Sequence, residues 1–124
     1  NEIDINTPFV INSTEIIPIR VLHGKLPIAG YRISNMAYLT DVSIIPEEEF
    51  TKLKDLKLLI MGALRQEKHP SHQSIDEAIE KAQRINAEQT YFIHFSHHLG
   101  LHQEEETKLP SNIHLSYDQL KITI

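Results

Sequence analysis

Histidine is frequent in this chain, and its placement is more informative than its number. Eight of the 124 residues are histidines, and two of them, His23 and His94, directly follow apolar runs that are typical of β-strands. Asp41 follows a third such run. In α/β proteins the ends of strands are where a rigid backbone delivers side chains to a crevice. Two neutral imidazoles and a carboxylate delivered there can ligate Zn²⁺, Mn²⁺ or Fe, and the aspartate can bridge two ions.

Each of these residues also has an ordinary structural explanation. A single histidine in a folded protein is usually a hydrogen-bonded structural residue. Asp41 could equally be a turn residue ahead of Val42 and Ser43. The spacing therefore allows a metal site but does not establish one.

A second group of polar residues, His69-Pro70-Ser71-His72-Gln73-Ser74, lies just ahead of a predicted helix. A helix N-terminus offers free amides and a positive dipole end, which suit an anionic phosphate. His72 could then stabilise developing charge or protonate a leaving oxygen. The alternative is a surface loop in which Ser74 only caps the helix, and the spacing does not decide between the two.

The composition fits one soluble domain over residues 1–124. The formal charge is −5, so no overall cationic field favours nucleic acid. Cysteine is absent, which leaves imidazole and carboxylate as the available transition-metal ligands. No apolar run of about 18 residues and no signal peptide is found, and we expect a cytoplasmic protein with no membrane association. Because the sequence opens with Asn1 inside polar-apolar alternation, we interpret it as part of a longer protein.

The hydrophobic pattern predicts an α/β fold with a mixed sheet and two or three helices on one face. Pro18 would disturb a central strand, so its segment is predicted at an edge or a bulge. The apolar run 58–61, the capped helix and the strand 90–93 together predict a parallel βαβ unit. The predicted strands are 2–5, 8–11, 14–22, 30–33, 36–40, 58–61, 90–93, 113–117 and 120–124, and the predicted helices are 46–55, 74–86 and 103–108.

Six segments together resemble the metallo-β-lactamase superfamily. In order they are 21–33 (VLHGKLPIAGYRI), 38–43 (YLTDVS), 63–65 (ALR), 69–72 (HPSH), 91–97 (YFIHFSH) and 115–118 (LSYD). Within the superfamily they are most similar to the phosphoribosyl 1,2-cyclic phosphate phosphodiesterase-like branch, a relative of the tRNase Z group. The resemblance implies that the chain is the C-terminal half of a four-layered αβ/βα sandwich.

The resemblance implies a role for each matched residue. His23 matches the histidine that completes the ligands of a first metal, Asp41 the aspartate that bridges both metals, and His94 the last histidine, on the second metal. His72 matches a histidine that is not a ligand and that assists the leaving group or contacts phosphate. Weaker supporting roles near the substrate are assigned to His69 and His97. Structural or solvating roles are expected for the remaining histidines and the acidic run: His98, His102, His114 and 104–106.

The implied activity is hydrolysis of a small cyclic or nucleotide-like phosphodiester by water that two divalent ions, Zn²⁺ or Mn²⁺ or Fe, activate. The alternatives are hydrolysis of a lactone or thioester on the same fold, or a non-catalytic half-domain. This sequence lacks the family's His-x-His-x-Asp-His motif, so we expect a missing N-terminal half to supply those ligands. The isolated chain is predicted to be inactive and to form homo-oligomers. Two departures from the pattern are Gly62, where relatives commonly have a polar residue, and Gln119, where they commonly have glycine.

Overall fold

The computed structural model describes residues 4–124. Across these residues the chain forms a single sheet of seven strands, whose spatial order is their chain order. The elements are β1 (Phe9–Ile11), β2 (Thr14–His23), β3 (Leu26–Ile33), β4 (Met36–Leu39), a first 3₁₀ helix (Glu47–Leu53), β5 (Leu58–Gly62), α1 (Ile75–Ile85), β6 (Gln89–Ile93), a second 3₁₀ helix (His97–Leu99), α2 (His102–Glu106) and β7 (Ile113–Leu115).

The sheet is mixed, as predicted. Strands β1 to β4 pair antiparallel, and β4 to β7 pair parallel. The helix α1 connects β5 to the adjacent parallel strand β6, which confirms the predicted βαβ unit. Because β3 is antiparallel to both β2 and β4, the strands β2, β4, β5 and β6 all run in the same direction. Their C-terminal ends therefore meet at one edge of the sheet.

Helix α1 begins where the capping-box spacing predicts. The Ser74 hydroxyl accepts a hydrogen bond from the Glu77 amide, and the Glu77 carboxylate accepts one from the Ser74 amide. Together these bonds satisfy two amides at the helix N-terminus. The helix ends at Ile85. The next residue, Asn86, has a left-handed backbone (φ 55°), and its amide donates a hydrogen bond to the Ala82 carbonyl that caps the helix.

The predicted helix 46–55 is instead a 3₁₀ helix that covers the outer edge of β2. Strand β1 pairs only with the first residues of β2, so Pro18 lies on an edge, as expected. The buried Glu49 carboxylate accepts a hydrogen bond from the Arg20 amide at 3.0 Å and one from Lys52 Nζ. Lys52 Nζ also donates to the Pro18 carbonyl. These side-chain hydrogen bonds hold the segment against the edge of β2 and so cover that edge. The 3₁₀ helix is a common geometry for short connecting segments of this kind.

Near both ends, the described residues contain less strand than predicted. The predicted strand 2–5 lies partly outside the described residues, and Asp4 is not in a strand, because its carboxylate accepts hydrogen bonds from the Asn6 amide and the Thr7 hydroxyl in a local turn. Of the predicted final pair 113–117 and 120–124, only β7 forms. The chain turns away at Gln119, which has a left-handed backbone with φ 68°.

The two faces of the sheet differ in cover. One face buries a continuous core against the helices, with Ile19, Leu39, Met61 and Phe92 fully enclosed. The other face carries an open apolar groove at its β1–β4 end. The residues that line this groove, called the open face below, are Phe9, Ile11, Ile16, Tyr31, Ile33, Met36 and Tyr38. Within the described residues, no helix is long and apolar enough to cross a membrane.

Candidate metal centre

The three predicted ligands lie at the same edge of the sheet because their strands run in parallel. His23 is the last residue of β2, Asp41 follows the end of β4, and His94 follows the end of β6. Asp41 and His94 both have left-handed backbones, with φ of 52° and 62°. This conformation is uncommon for residues other than glycine and costs about 1 kcal/mol or more. At Asp41 and His94 this conformation ends the extended backbone of the strand, and the side chains of the same two residues belong to the candidate metal centre.

The Asp41 carboxylate is the centre of the cluster. Its Oδ1 lies 3.4 Å from His94 Nε2 and 4.0 Å from His72 Nδ1. The backbone carbonyl of Asp41 lies 3.0 Å from His23 Nδ1. If Nδ1 carries the proton, this contact is a hydrogen bond that leaves His23 Nε2 free to act as a ligand.

His72 lies among the other imidazoles. Its ring centroid is 4.5 Å from that of His23, 5.0 Å from that of His94 and 5.2 Å from that of His69. His69 is in turn held by its own loop, since its Nδ1 accepts a hydrogen bond from the Ser71 amide at 3.2 Å. The side chains of His23, Asp41, His72 and His94 are thus brought together.

The surroundings of His72 lower its pKa below the ordinary histidine value of 6.5. Burial is the largest cause, because it disfavours the charged imidazolium. The imidazoles of His23 and His94 add repulsion, while the Asp41 carboxylate opposes the shift. Without bound ligands His72 is therefore neutral at neutral pH, with a nitrogen lone pair available.

The amides at the start of α1 are occupied within the chain. The Ser74 amide donates to Glu77, the Glu77 amide donates to Ser74, and the Ile75 amide donates to the Arg65 carbonyl. Of the two hypotheses for this loop, the structure therefore favours the cap for Ser74 over a phosphate site on these amides. His72 instead contributes through its position beside Asp41.

The remaining predictions for polar residues have mixed outcomes. His97 is exposed, and its ring packs on that of His98 at 3.9 Å rather than on the Asp41 cluster. The acidic run 104–106 is not a simple solvated face. Glu105 pairs with Lys108, and Glu106 accepts hydrogen bonds from the Leu115 amide and lies 3.0 Å from His114 Nδ1. The spacing of the glutamates along the helix did not predict these partners. Lys108 follows the end of the helix, and His114 and Leu115 belong to β7.

The donor set of the cluster fits a divalent transition metal. His23, Asp41 and His72 each offer one ligand atom within 4.8 Å of the others. Imidazole nitrogen and carboxylate oxygen are suitable ligands for zinc, manganese and iron. This grouping contains His72 and omits His94, although His94 is the closer of the two to the Asp41 carboxylate. Rotation of the His94 ring would change which nitrogen it presents, so its 3.4 Å contact with Asp41 keeps His94 among the candidate ligands.

The comparisons with known proteins identify the family. Residues 1–95 match the family described as the beta-lactamase superfamily domain. A solved structure described as a new diphosphatase from the PhnP family is 38% identical, with a TM-score of 0.91 over 94% of this chain and 46% of that one. The chain belongs to the metallo-β-lactamase superfamily, in its PhnP-like branch, and its α/β fold is the one predicted.

Two further similarities bear on fold and function. The metallo-β-lactamase fold protein YhfI from Bacillus subtilis is 17% identical, with a TM-score of 0.74 over 92% of this chain and 51% of that one, which supports the fold alone. A curated protein of Porphyromonas gingivalis (strain ATCC BAA-308 / W83), named octanoyltransferase, is 44% identical over 124 residues, which are 99% of this chain and 25% of that protein. The chain therefore spans a quarter of this curated relative and about half of the solved structures.

Proposed function

We propose that this chain is the C-terminal part of a metal-dependent phosphodiesterase domain. The observation that carries the proposal is the 3.4 Å approach of His94 to the Asp41 carboxylate, with His23 and His72 beside the same aspartate. Such an arrangement of imidazoles around one carboxylate is suited to a dinuclear centre. We call this chain together with its N-terminal half the complete domain.

The proposed ligands are His23, Asp41 and His94. Asp41 would contact both metal positions, His23 would complete the first and His94 the second. When bound, two divalent ions lower the pKa of a shared water and neutralise phosphate oxygens. In this chain each position keeps only two ligands, whereas a stable zinc site usually has three or four from the protein. The N-terminal half would supply the others.

His72 would act on the substrate rather than on the metals. Its imidazole lies beside Asp41, and its pKa is lowered by burial and by the neighbouring histidines. A phosphodiester brings negative charge against this ring, which favours the protonated form that a general acid needs. His72 would then give its proton to the departing alkoxide oxygen. His69, whose ring centroid lies 5.2 Å from that of His72, would pack beside this ring.

A phosphodiester is the substrate class that we favour. The PhnP-family diphosphatase, which is 38% identical with a TM-score of 0.91, supports a phosphate-containing substrate. The second candidate is hydrolysis of a thioester or lactone by the same centre, and one observation favours it, the name octanoyltransferase of the 44% identical relative. Because the chain matches only a quarter of that protein, the named activity can belong to the remaining length.

The test is a comparison of substrates on the complete domain supplied with Zn²⁺ or Mn²⁺. We expect hydrolysis of a five-membered cyclic phosphodiester, and little or no hydrolysis of an acyl thioester. The matched control is Asp41→Asn, which keeps the size of the side chain and removes its charge. Preferential thioester hydrolysis that Asp41→Asn abolishes would contradict the phosphodiesterase assignment and support the second candidate.

A further inference from the structure

Gln73 is the most deeply buried polar side chain beside the candidate metal centre. Only 1% of it is exposed, and it directly follows His72. Its backbone amide donates to the Val42 carbonyl at 3.1 Å, and its own carbonyl accepts from the Leu64 amide at 3.0 Å. Its side-chain Nε2 donates to the Gly62 carbonyl at 2.6 Å. One residue thus makes hydrogen bonds to two other segments of the chain.

Both of these segments lead to the metal centre. Val42 is the neighbour of Asp41, and Gly62 is the last residue of β5, the strand between β4 and β6. Gly62 also lies against the Asp41 backbone, since a Cβ atom at Gly62 would be 3.3 Å from the Asp41 amide nitrogen. Gln73 therefore reaches the Asp41 segment by two routes, through Val42 and through Gly62.

The hydrogen bonding of the Gln73 side chain indicates a role beyond packing. Among the described residues, Gln73 Oε1 is buried without a hydrogen-bond partner. A buried polar atom without a partner costs about 1–3 kcal/mol, and an apolar side chain of the same length would avoid that cost. The Nε2 bond to Gly62 is the feature that an apolar side chain could not provide.

We propose that Gln73 is a positioning residue, which fixes the His72 imidazole relative to the Asp41 carboxylate by fastening the His72 loop to the end of β5. The two groups are 4.0 Å apart, and the Nε2 bond to Gly62 is the side-chain bond that joins the His72 loop to the end of β5. The kinetic part of this inference rests on the proposed function, in which His72 acts on the leaving group and Asp41 on the metals. The structural part, that Gln73 sets the distance between His72 and Asp41, does not depend on the proposed function.

The experiment compares Gln73→Met with Thr90→Val in the complete domain. Methionine keeps the length and volume of glutamine and removes its donor. Thr90 is equally buried, and its hydroxyl also lacks a partner among the described residues, but it lies at the start of β6, away from the end that carries His94. Thr90→Val therefore removes a buried polar group from the sheet and leaves the His72 loop unchanged.

We expect Gln73→Met to lower kcat for a phosphodiester about 10- to 100-fold, with KM and metal content close to wild type, because small displacements of reacting groups have effects of this size. Thr90→Val should keep wild-type kcat. The melting temperatures of both variants, measured in parallel, show whether they are folded. Unchanged kcat in Gln73→Met, or an equal loss of kcat in Thr90→Val, would overturn the inference.

Crystal structures of the same variants provide a readout that needs no activity. In Gln73→Met the distance between His72 Nδ1 and the Asp41 carboxylate should change by roughly 1 Å, with the scale set by the same positioning argument. An unchanged distance would overturn the inference. If the wild-type complete domain hydrolyses no phosphodiester, the proposed function fails, and the crystallographic comparison still decides the role of Gln73. If Gln73→Met fails to fold, Gln73→Leu, which removes the donated bond without introducing a charge, replaces it in both measurements.

Discussion

The Oδ1 atom of Asp41 lies 3.4 Å from the Nε2 atom of His94, although the two residues follow different strands separated by β5. The parallel direction of β4 and β6 brings both to one edge, and a left-handed backbone at each residue ends the strand there. Nitrogen and oxygen ligands lie about 2.0–2.2 Å from a tetrahedral zinc ion, so two ligand atoms on one ion are separated by a distance of this size.

The first prediction concerns pH and the metal-free complete domain. The folded pKa of His72 is lowered below its unfolded value of 6.5, so the unfolded chain binds the proton more readily than the folded one. The stability contributed by neutral His72 is fully present above the unfolded pKa and is lost as pH falls through the folded pKa. We expect the free energy of unfolding in urea to decrease more between about pH 7.5 and about pH 5.5 in wild type than in His72→Gln.

The control for this prediction is His98→Gln, which removes an exposed histidine outside the cluster. It should keep the wild-type dependence on pH. If His72→Gln and His98→Gln both follow wild type over this range, burial and the neighbouring imidazoles do not disfavour the charged form of His72 as described above.

The second prediction tests the covered edge of β2. Replacement of Glu49 by alanine removes the carboxylate that accepts from the Arg20 amide and from Lys52. The amide and the ammonium group are then left without this partner, and we expect the free energy of unfolding to fall by about 1–3 kcal/mol. The measurement is urea unfolding of the complete domain.

Glu48→Ala is the matched control for Glu49→Ala. Glu48 is the next residue along and forms an exposed ion pair with Arg20, and exposed pairs contribute about 0–1 kcal/mol. Equal effects of the two substitutions would show that Glu49 acts as a surface charge and not as the cover of a strand edge.

The third prediction concerns the isolated chain of 124 residues. We expect it to show no phosphodiesterase activity, to hold fewer than two metal ions and to dimerise or aggregate. The physical reason for association is the open face, where the apolar side chains of Ile11 and Tyr38 are 54% and 40% exposed. Burial of apolar surface is worth about 25 cal/mol per Å², so an uncovered sheet face of this kind favours contact with another surface.

Light scattering and metal analysis check this prediction, and Ile11→Lys combined with Tyr38→Glu is the informative variant. Charges placed on the open face should shift the chain toward the monomer, because they make its contact with another copy unfavourable. An active, monodisperse wild-type monomer that carries two tightly bound ions would be incompatible with this view of the chain.

Much of the sheet could be predicted because its local signals agree with the final structure. The alternation in β2, the apolar run of β5 and the capping box before α1 each predict the element that forms. The errors occur where tertiary contacts replace local propensity. Glu49 accepts a hydrogen bond from the edge of β2, and its segment forms a 3₁₀ helix in place of the predicted helix 46–55. The predicted strand 120–124 does not form, and β7 pairs with β6 alone.

The candidate centre could be predicted only in outline. The strand-end positions of His23, Asp41 and His94 indicate a shared edge, because parallel strands bring their C-terminal ends together. The central position of His72 depends on how a loop folds back over that edge, which spacing does not encode. Gln73 gave no signal in the sequence, since a single glutamine is usually exposed and its burial follows from the same loop.

The central claim is that Asp41 is a metal ligand and that His72 acts on the substrate. The measurement that tests it most directly is metal content, by mass spectrometry, together with phosphodiester turnover in Asp41→Ala and His72→Ala of the complete domain. We expect Asp41→Ala to lose both metal and turnover. We expect His72→Ala to keep the metal content of wild type and to lose turnover by about 10²- to 10⁴-fold, the usual contribution of general acid–base assistance. Wild-type turnover in His72→Ala, or wild-type metal content in Asp41→Ala, would contradict the account.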